Sequence, residues 1–155
     1  RNTEYCIMCH NPNFNDNPAP EVRAAPESLH YKYMIHSIHM GDERAVATAF
    51  GSRNQVETED IFFPTPGRQK ECERCHKAGT YTIPLPSGVL PTTVTQAGKV
   101  LSVTQPIAAA CKACHIARPG FDAHVDTMTS AKYGEACANC HERGADFAVE
   151  KVHSR

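Results

Sequence analysis

Four times in this chain a histidine directly follows two cysteines spaced three positions apart: Cys6-Ile7-Met8-Cys9-His10, Cys72-Glu73-Arg74-Cys75-His76, Cys111-Lys112-Ala113-Cys114-His115 and Cys137-Ala138-Asn139-Cys140-His141. These pairs use all eight cysteines. Eight cysteines in an exported protein ordinarily make a disulfide framework, and C-x-x-C pairs also serve zinc. Neither reading asks for the histidine, and with 9 His in 155 residues its fourfold recurrence by chance is remote. C-x-x-C-H is the attachment motif of c-type haem. Two thiols about one helical turn apart reach the two vinyl groups on one porphyrin edge and form thioethers, and the next residue brings its imidazole under the iron. The spacing therefore predicts four haem c groups with their irons. Cys6/Cys9, Cys72/Cys75, Cys111/Cys114 and Cys137/Cys140 attach them, and His10, His76, His115 and His141 are the first axial ligands.

Five histidines remain: His30, His36, His39, His124 and His153. A lone histidine is more often a core or surface residue than a ligand, but four irons with one open face each need four more donors. His36 and His39 are three apart on an expected helix, and such residues share a face. Two imidazoles on one helix side cannot both serve an iron whose other face is taken, so they are expected to serve two different haems. His30 lies well round that helix and is the expected spare. This leaves His36, His39, His124 and His153 as distal ligands, with Met40 and Met128 as the competing sulfur donors.

Composition narrows the class. Ile, Leu, Val and Phe together supply 27 of 155 residues and there is no Trp. That share, about 17%, is less than a side-chain core alone needs. Something else must fill the interior, and haem does. Sixteen basic against 17 acidic residues give a net charge of −1, which offers nothing to nucleic acid or an anionic membrane surface. Four haems would take the holoprotein to about −5 oxidised and about −9 reduced. No apolar stretch approaches a membrane span.

The expected organisation is a single domain over 1–155, mostly coil with short α-helices wrapped around four closely packed haems and little β-structure. The motifs begin at Cys6, Cys72, Cys111 and Cys137, and the shrinking gaps argue against a tandem repeat. A loop is expected from Asn11 to Pro20. A helix is expected from Ser28 to Met40, capped by Ser28 and closed by a left-handed Gly41. Phe62 to Gly67 reads as a break. Between Tyr81 and Thr104 two short strands are expected to turn at Gln96-Ala97-Gly98-Lys99. Pro106 opens a short helix into the third motif, and Glu135 to Glu142 is expected to form another.

Three stretches, Tyr5 to Asn13, Lys32 to Gly41 and Pro106 to Cys111, resemble a module of the bacterial outer-surface multihaem cytochromes of the OmcA/MtrC type. The most specific part is Met34-Ile35-His36-Ser37-Ile38-His39-Met40-Gly41, and the likeness runs over nearly the whole chain. The resemblance implies bis-histidine haems in closely spaced chains that carry electrons from the cell to external acceptors such as metal oxides. By resemblance His36 and His39 match paired distal ligands, and His124 and His153 match later ones. The family module usually has five haems, and here its first motif and the flanking β-barrel domains have no counterpart. With every cysteine committed to haem, no disulfide switch carries over. The expectation is a processed subunit, or the core of something longer.

Three functions compete on the sequence. An electron-transfer protein transforms no substrate and needs every iron saturated, which the histidine supply allows. A multihaem reductase needs an open iron position. A soluble periplasmic tetrahaem shuttle is usually Lys-rich around its haems, unlike this chain. Electron transfer is the preferred reading, in an exported protein at the outer surface or outside the cell, with the periplasm as the alternative. The expected partners are an external electron acceptor and other redox proteins or copies of itself in head-to-tail contact. That contact is expected because five residues precede Cys6 and two follow His153, too few to cover the haems at either end.

Overall fold

Each of the four motifs winds into a single turn or a short helix. The computed structural model describes residues 2–18, 25–44, 49–50, 56–62 and 70–153. Within them α1 (Glu4–Cys9) holds the first motif and a 3-10 turn (Cys72–Arg74) opens the second. Helix α3 (Pro106–His115) carries the third motif on its last turn, and α5 (Ala138–His141) forms the fourth. The motif histidine closes the turn on the first cysteine: the amides of His10, His76 and His141 donate to the carbonyls of Cys6, Cys72 and Cys137 at 2.8, 2.9 and 3.0 Å.

The remaining helices carry the other histidines: α2 (Tyr31–Met40), α4 (Phe121–Met128) and α6 (Val149–Val152), which His153 ends. Among the described residues sheet is limited to three two-stranded antiparallel ladders, β1 (Ala49–Phe50) with β2 (Val56–Glu57), β3 (Thr92–Gln96) with β4 (Lys99–Thr104), and β5 (Thr129–Ser130) with β6 (Gly134–Glu135). Most of the remainder is coil, in line with the expected class. No helix among the described residues is long and apolar enough to cross a membrane.

Several expected boundaries shift for identifiable reasons. Helix α2 begins at Tyr31 rather than Ser28, because Ser28 is drawn into an antiparallel bridge with Asn15 while its hydroxyl accepts the His30 amide at 3.1 Å. Gly41 does close α2 at positive φ, but its φ of 57° and ψ of −135° lie outside the ordinary left-handed helical well. A Cβ there would strike the Ile61 carbonyl, so only glycine fits. The 81–104 hairpin forms with Ala97 and Gly98 at φ 49° and 77°, the two positive values of a type I′ turn. Its β3 edge is pinned by the described part of the expected loop, 11–18: Asn15 exchanges hydrogen bonds with the Thr95 backbone, and the Thr93 amide donates to the Pro12 carbonyl. Glu135 is in β6, not in a helix; the helix expected from Glu135 starts at Ala138 because Glu135 is committed to strand pairing and to α3. From residue 63 on, the expected break at Phe62–Gly67 lies outside the described residues.

Helix α2 packs on α3 at small residues: Ser37 of α2 and Ala109 and Ala113 of α3 are all essentially inaccessible. The Ala113 carbonyl accepts from both the Ser37 hydroxyl at 3.4 Å and Arg44 Nε at 2.8 Å. Among the described residues the buried apolar set is Phe50, Ile83, Val125 and four alanines, and the largest fully buried side chains are Thr58 and Ser37. Fixing a backbone costs about 1–2 kcal/mol per residue, far more than this set returns. A chain with all eight cysteines changed to Ser, and so without attached haem, is expected to show no cooperative thermal transition by circular dichroism. A sharp one would mean that side chains alone suffice.

His30 ties the start of α2 to β3. Its buried ring meets the Thr92 hydroxyl through Nδ1 at 2.7 Å. Burial, aided by the Lys32 charge, pushes its pKa down from 6.5 to about 4. The unfolded chain therefore binds the extra proton in that interval, and the folded chain does not. The stabilisation is complete above pH 6.5 and is lost as pH falls towards 4. Chemical denaturation of the haem-loaded protein across this range should give a flatter pH profile for His30→Gln than for the parent chain.

Candidate haem centres

An imidazole can ligate a metal through Nε2 only when Nδ1 keeps the ring proton, and a hydrogen bond from Nδ1 enforces that tautomer. Backbone carbonyls stand where they can do this. His10 Nδ1 meets the Leu29 carbonyl at 2.8 Å and His141 Nδ1 the Phe147 carbonyl at 2.8 Å. Two helical histidines use the carbonyl one turn back: His39 reaches Ile35 at 2.7 Å and His153 reaches Val149 at 2.9 Å. His36 leans on the Lys32 carbonyl in the same i−4 sense, without a full hydrogen bond from its buried Nδ1.

Three motif histidines face three non-motif histidines. The ring centroids of His36 and His76 are 6.1 Å apart, those of His115 and His153 5.9 Å, and those of His124 and His141 6.2 Å. A metal–imidazole bond is about 2 Å long, so two imidazoles on opposite sides of one iron have centroids about 6 Å apart. The spacing fits an intervening iron, and direct ring packing reaches the same distances. Both members of each pair come from different elements: α2 and the second motif, α3 and the end of α6, α4 and α5. Burial, reinforced by the facing ring, lowers the proton affinity of His36 and of His115. Neutral imidazole, the form a metal requires, is thereby favoured.

The first motif is different. The His10 ring packs on Phe14 at 5.6 Å, and among the described residues no histidine ring faces it. His39 is exposed on α2, while His30 is enclosed against Thr92. Of the three histidines at α2, His36 thus faces the second motif, His39 is exposed and His30 is buried on Thr92.

The cysteines are all free of one another. Burial pushes the Cys111 thiol up to about 12 and the Cys114 thiol up to about 11, so neither is a thiolate nucleophile in the folded chain. Apolar side chains stand exposed around the motifs: Tyr5 and Met8 on α1 are each about three-quarters accessible, and Phe147 beside His141 is also exposed. Such surface around an attachment point is what a porphyrin would cover, and together with the facing imidazoles it fits haem.

One contributor was missed on the sequence. Each motif histidine packs against an aromatic ring four to six residues downstream: His10 with Phe14, His76 with Tyr81 at 6.1 Å, His115 with Phe121 at 5.5 Å and His141 with Phe147 at 6.4 Å. The signal was available as an aromatic recurring at nearly constant distance after every C-x-x-C-H.

Comparison with known proteins bears on the whole chain. The family model described as outer membrane cytochrome MtrC/MtrF-like, domains II/IV, matches residues 1–154. Neither the curated proteins nor the solved structures give a significant match. With the family model covering all but one residue, the chain belongs to the MtrC/MtrF-like outer membrane cytochromes, as a domain of the II/IV type.

Proposed function

We propose that this domain carries electrons along four covalently attached c-type haems, each iron held between two histidines, and that it transforms no substrate. The observation that carries the reading is the set of facing pairs, in which a motif histidine and a non-motif histidine stand about 6 Å apart three times over. His36 then stands opposite His76, His153 opposite His115 and His124 opposite His141, which leaves His39 for the iron on His10. Bound haem supplies a one-electron ferric/ferrous couple at each centre.

The residues of the chain do the rest. Carbonyls at Leu29, Ile35, Phe147 and Val149 hold the ring protons on Nδ1, and the downstream aromatics limit rotation of the motif imidazoles. Saturating both axial positions with imidazole leaves no open place for a substrate and favours low potentials. Family membership supports a place at the outer cell surface, with acceptors outside the cell such as metal oxides. Other redox proteins, or further copies of the chain, are the proposed electron partners.

The haem-loaded protein should contain four haems per chain by haemochrome assay. It should show only low-spin ferric signals, and its untreated ferrous form should not bind carbon monoxide stoichiometrically. His36→Ala and His39→Ala should each convert one haem to high spin, a different one in each case, whereas His30→Ala should convert none. A double variant at 36 and 39 that loses a single low-spin centre would refute the assignment.

A further inference from the structure

Helix α3 starts at Pro106, which has no amide proton, so its first two free donors are the amides of Ile107 and Ala108. The preceding Gln105 provides no side-chain cap. Both donors are taken instead by one carboxylate from elsewhere in the chain: Ile107 donates to Glu135 Oε2 at 2.8 Å and Ala108 to Glu135 Oε1 at 2.6 Å. Such charge-assisted bonds to a helix N-terminus are among the stronger polar contacts a fold can make.

The position of Glu135 along the chain gives this cap a second meaning. It lies two residues before Cys137, on a tight β5–β6 hairpin. Ser130 Oγ accepts the Lys132 and Tyr133 amides inside that hairpin, and the Ala136 amide donates to the Met128 carbonyl. On the other side, Cys111 follows Ala108 by three residues, on the same helix face. The carboxylate thus stands between the attachment points of the third and fourth motifs. Burial is the largest cause that raises the pKa of the Cys111 and Cys137 thiols, and the Glu135 charge adds to it at both. The facing cation is Lys32 on α2, whose Nζ is bonded to the Leu90 carbonyl.

We propose that Glu135 is a shared positioning and tuning residue for the third and fourth haem centres, holding their attachment sites together and depressing both potentials through one fixed negative charge. The inference rests on the tetrahaem reading above. Reduction adds an electron to each centre, so a carboxylate held close opposes it, and the opposition falls on the two centres attached beside it, at Cys111/Cys114 and Cys137/Cys140, rather than on those at Cys6/Cys9 and Cys72/Cys75. Partial compensation by Lys32 and by the helix dipole reduces the effect without reversing its sign.

The test is an NMR-followed redox titration of the haem-loaded full chain, with each haem assigned through contacts of its substituents with neighbouring protons. Glu135→Gln keeps the shape and one acceptor but removes the charge. The potentials of the centres on Cys111/Cys114 and Cys137/Cys140 should both rise while the other two stay in place. Glu135→Asp keeps the charge and should leave all four near the parent values, even where the shorter side chain lowers the melting temperature. Unchanged potentials in Glu135→Gln, an equal shift at all four centres, or a rise at only one would overturn the proposal. A chain made with the haem-attachment machinery that carries fewer than four haems would instead refute the underlying reading.

Discussion

A histidine offers a lone pair to a metal only where something else holds its proton, and much of this structure is arranged to provide that second partner. Backbone carbonyls do the holding at His10, His39, His141 and His153, two from coil and two from the preceding helical turn. The short helices follow from this need. A helix of four or ten residues is marginal in isolation. It nevertheless suffices to set an imidazole one turn above a carbonyl, or to set two thiols one turn apart. With so few large apolar groups enclosed, long regular elements would have nothing to pack against. Coil that traces the outline of flat cofactors is the economical alternative.

The α2–α3 pair joins these local devices into one arrangement. Helix α2 contributes His36 towards the second motif, and its His36 carbonyl also lies 3.9 Å from the Cys114 sulfur of the third. Buried Arg44 spans the same junction, donating to the Ala113 carbonyl and to the Tyr33 hydroxyl while its guanidinium lies over the Tyr33 ring. At the opposite end of the third motif stands the Glu135 carboxylate. A cation near one cysteine and an anion near the other hold this helix from both ends.

The chemistry was more legible in the sequence than the fold. C-x-x-C-H declares its cofactor in five adjacent residues, because thioether attachment and axial ligation are both local. Three-residue spacing on a helix is likewise a local geometric fact, and the proposal that His36 and His39 serve two different haems starts from it. Which imidazole faces which is a tertiary matter: His153 meets His115 across 38 positions, and nothing near either residue announces it. The helix misjudged at Ser28 and the strand misjudged at Glu135 share a cause. Each residue has a sound local preference that a distant partner overrides, Asn15 in one case and the Ile107 and Ala108 amides in the other. The hairpin turn at Ala97-Gly98 succeeded because its requirement for positive φ is met within two residues.

The alanines at the α2–α3 contact carry no electrons and bind nothing, yet they bear on speed. Ser37, Ala109 and Ala113 are small and essentially inaccessible where α2 packs on α3, and small residues let two backbones come close. Electron tunnelling decays exponentially with the gap it crosses, so in the proposed conduit the thickness of this contact acts as an exponent. A buried methyl group more or less would change stability modestly but hopping times by a multiplicative factor. Selection for rapid turnover would therefore act on residue size at positions that look, chemically, like filler.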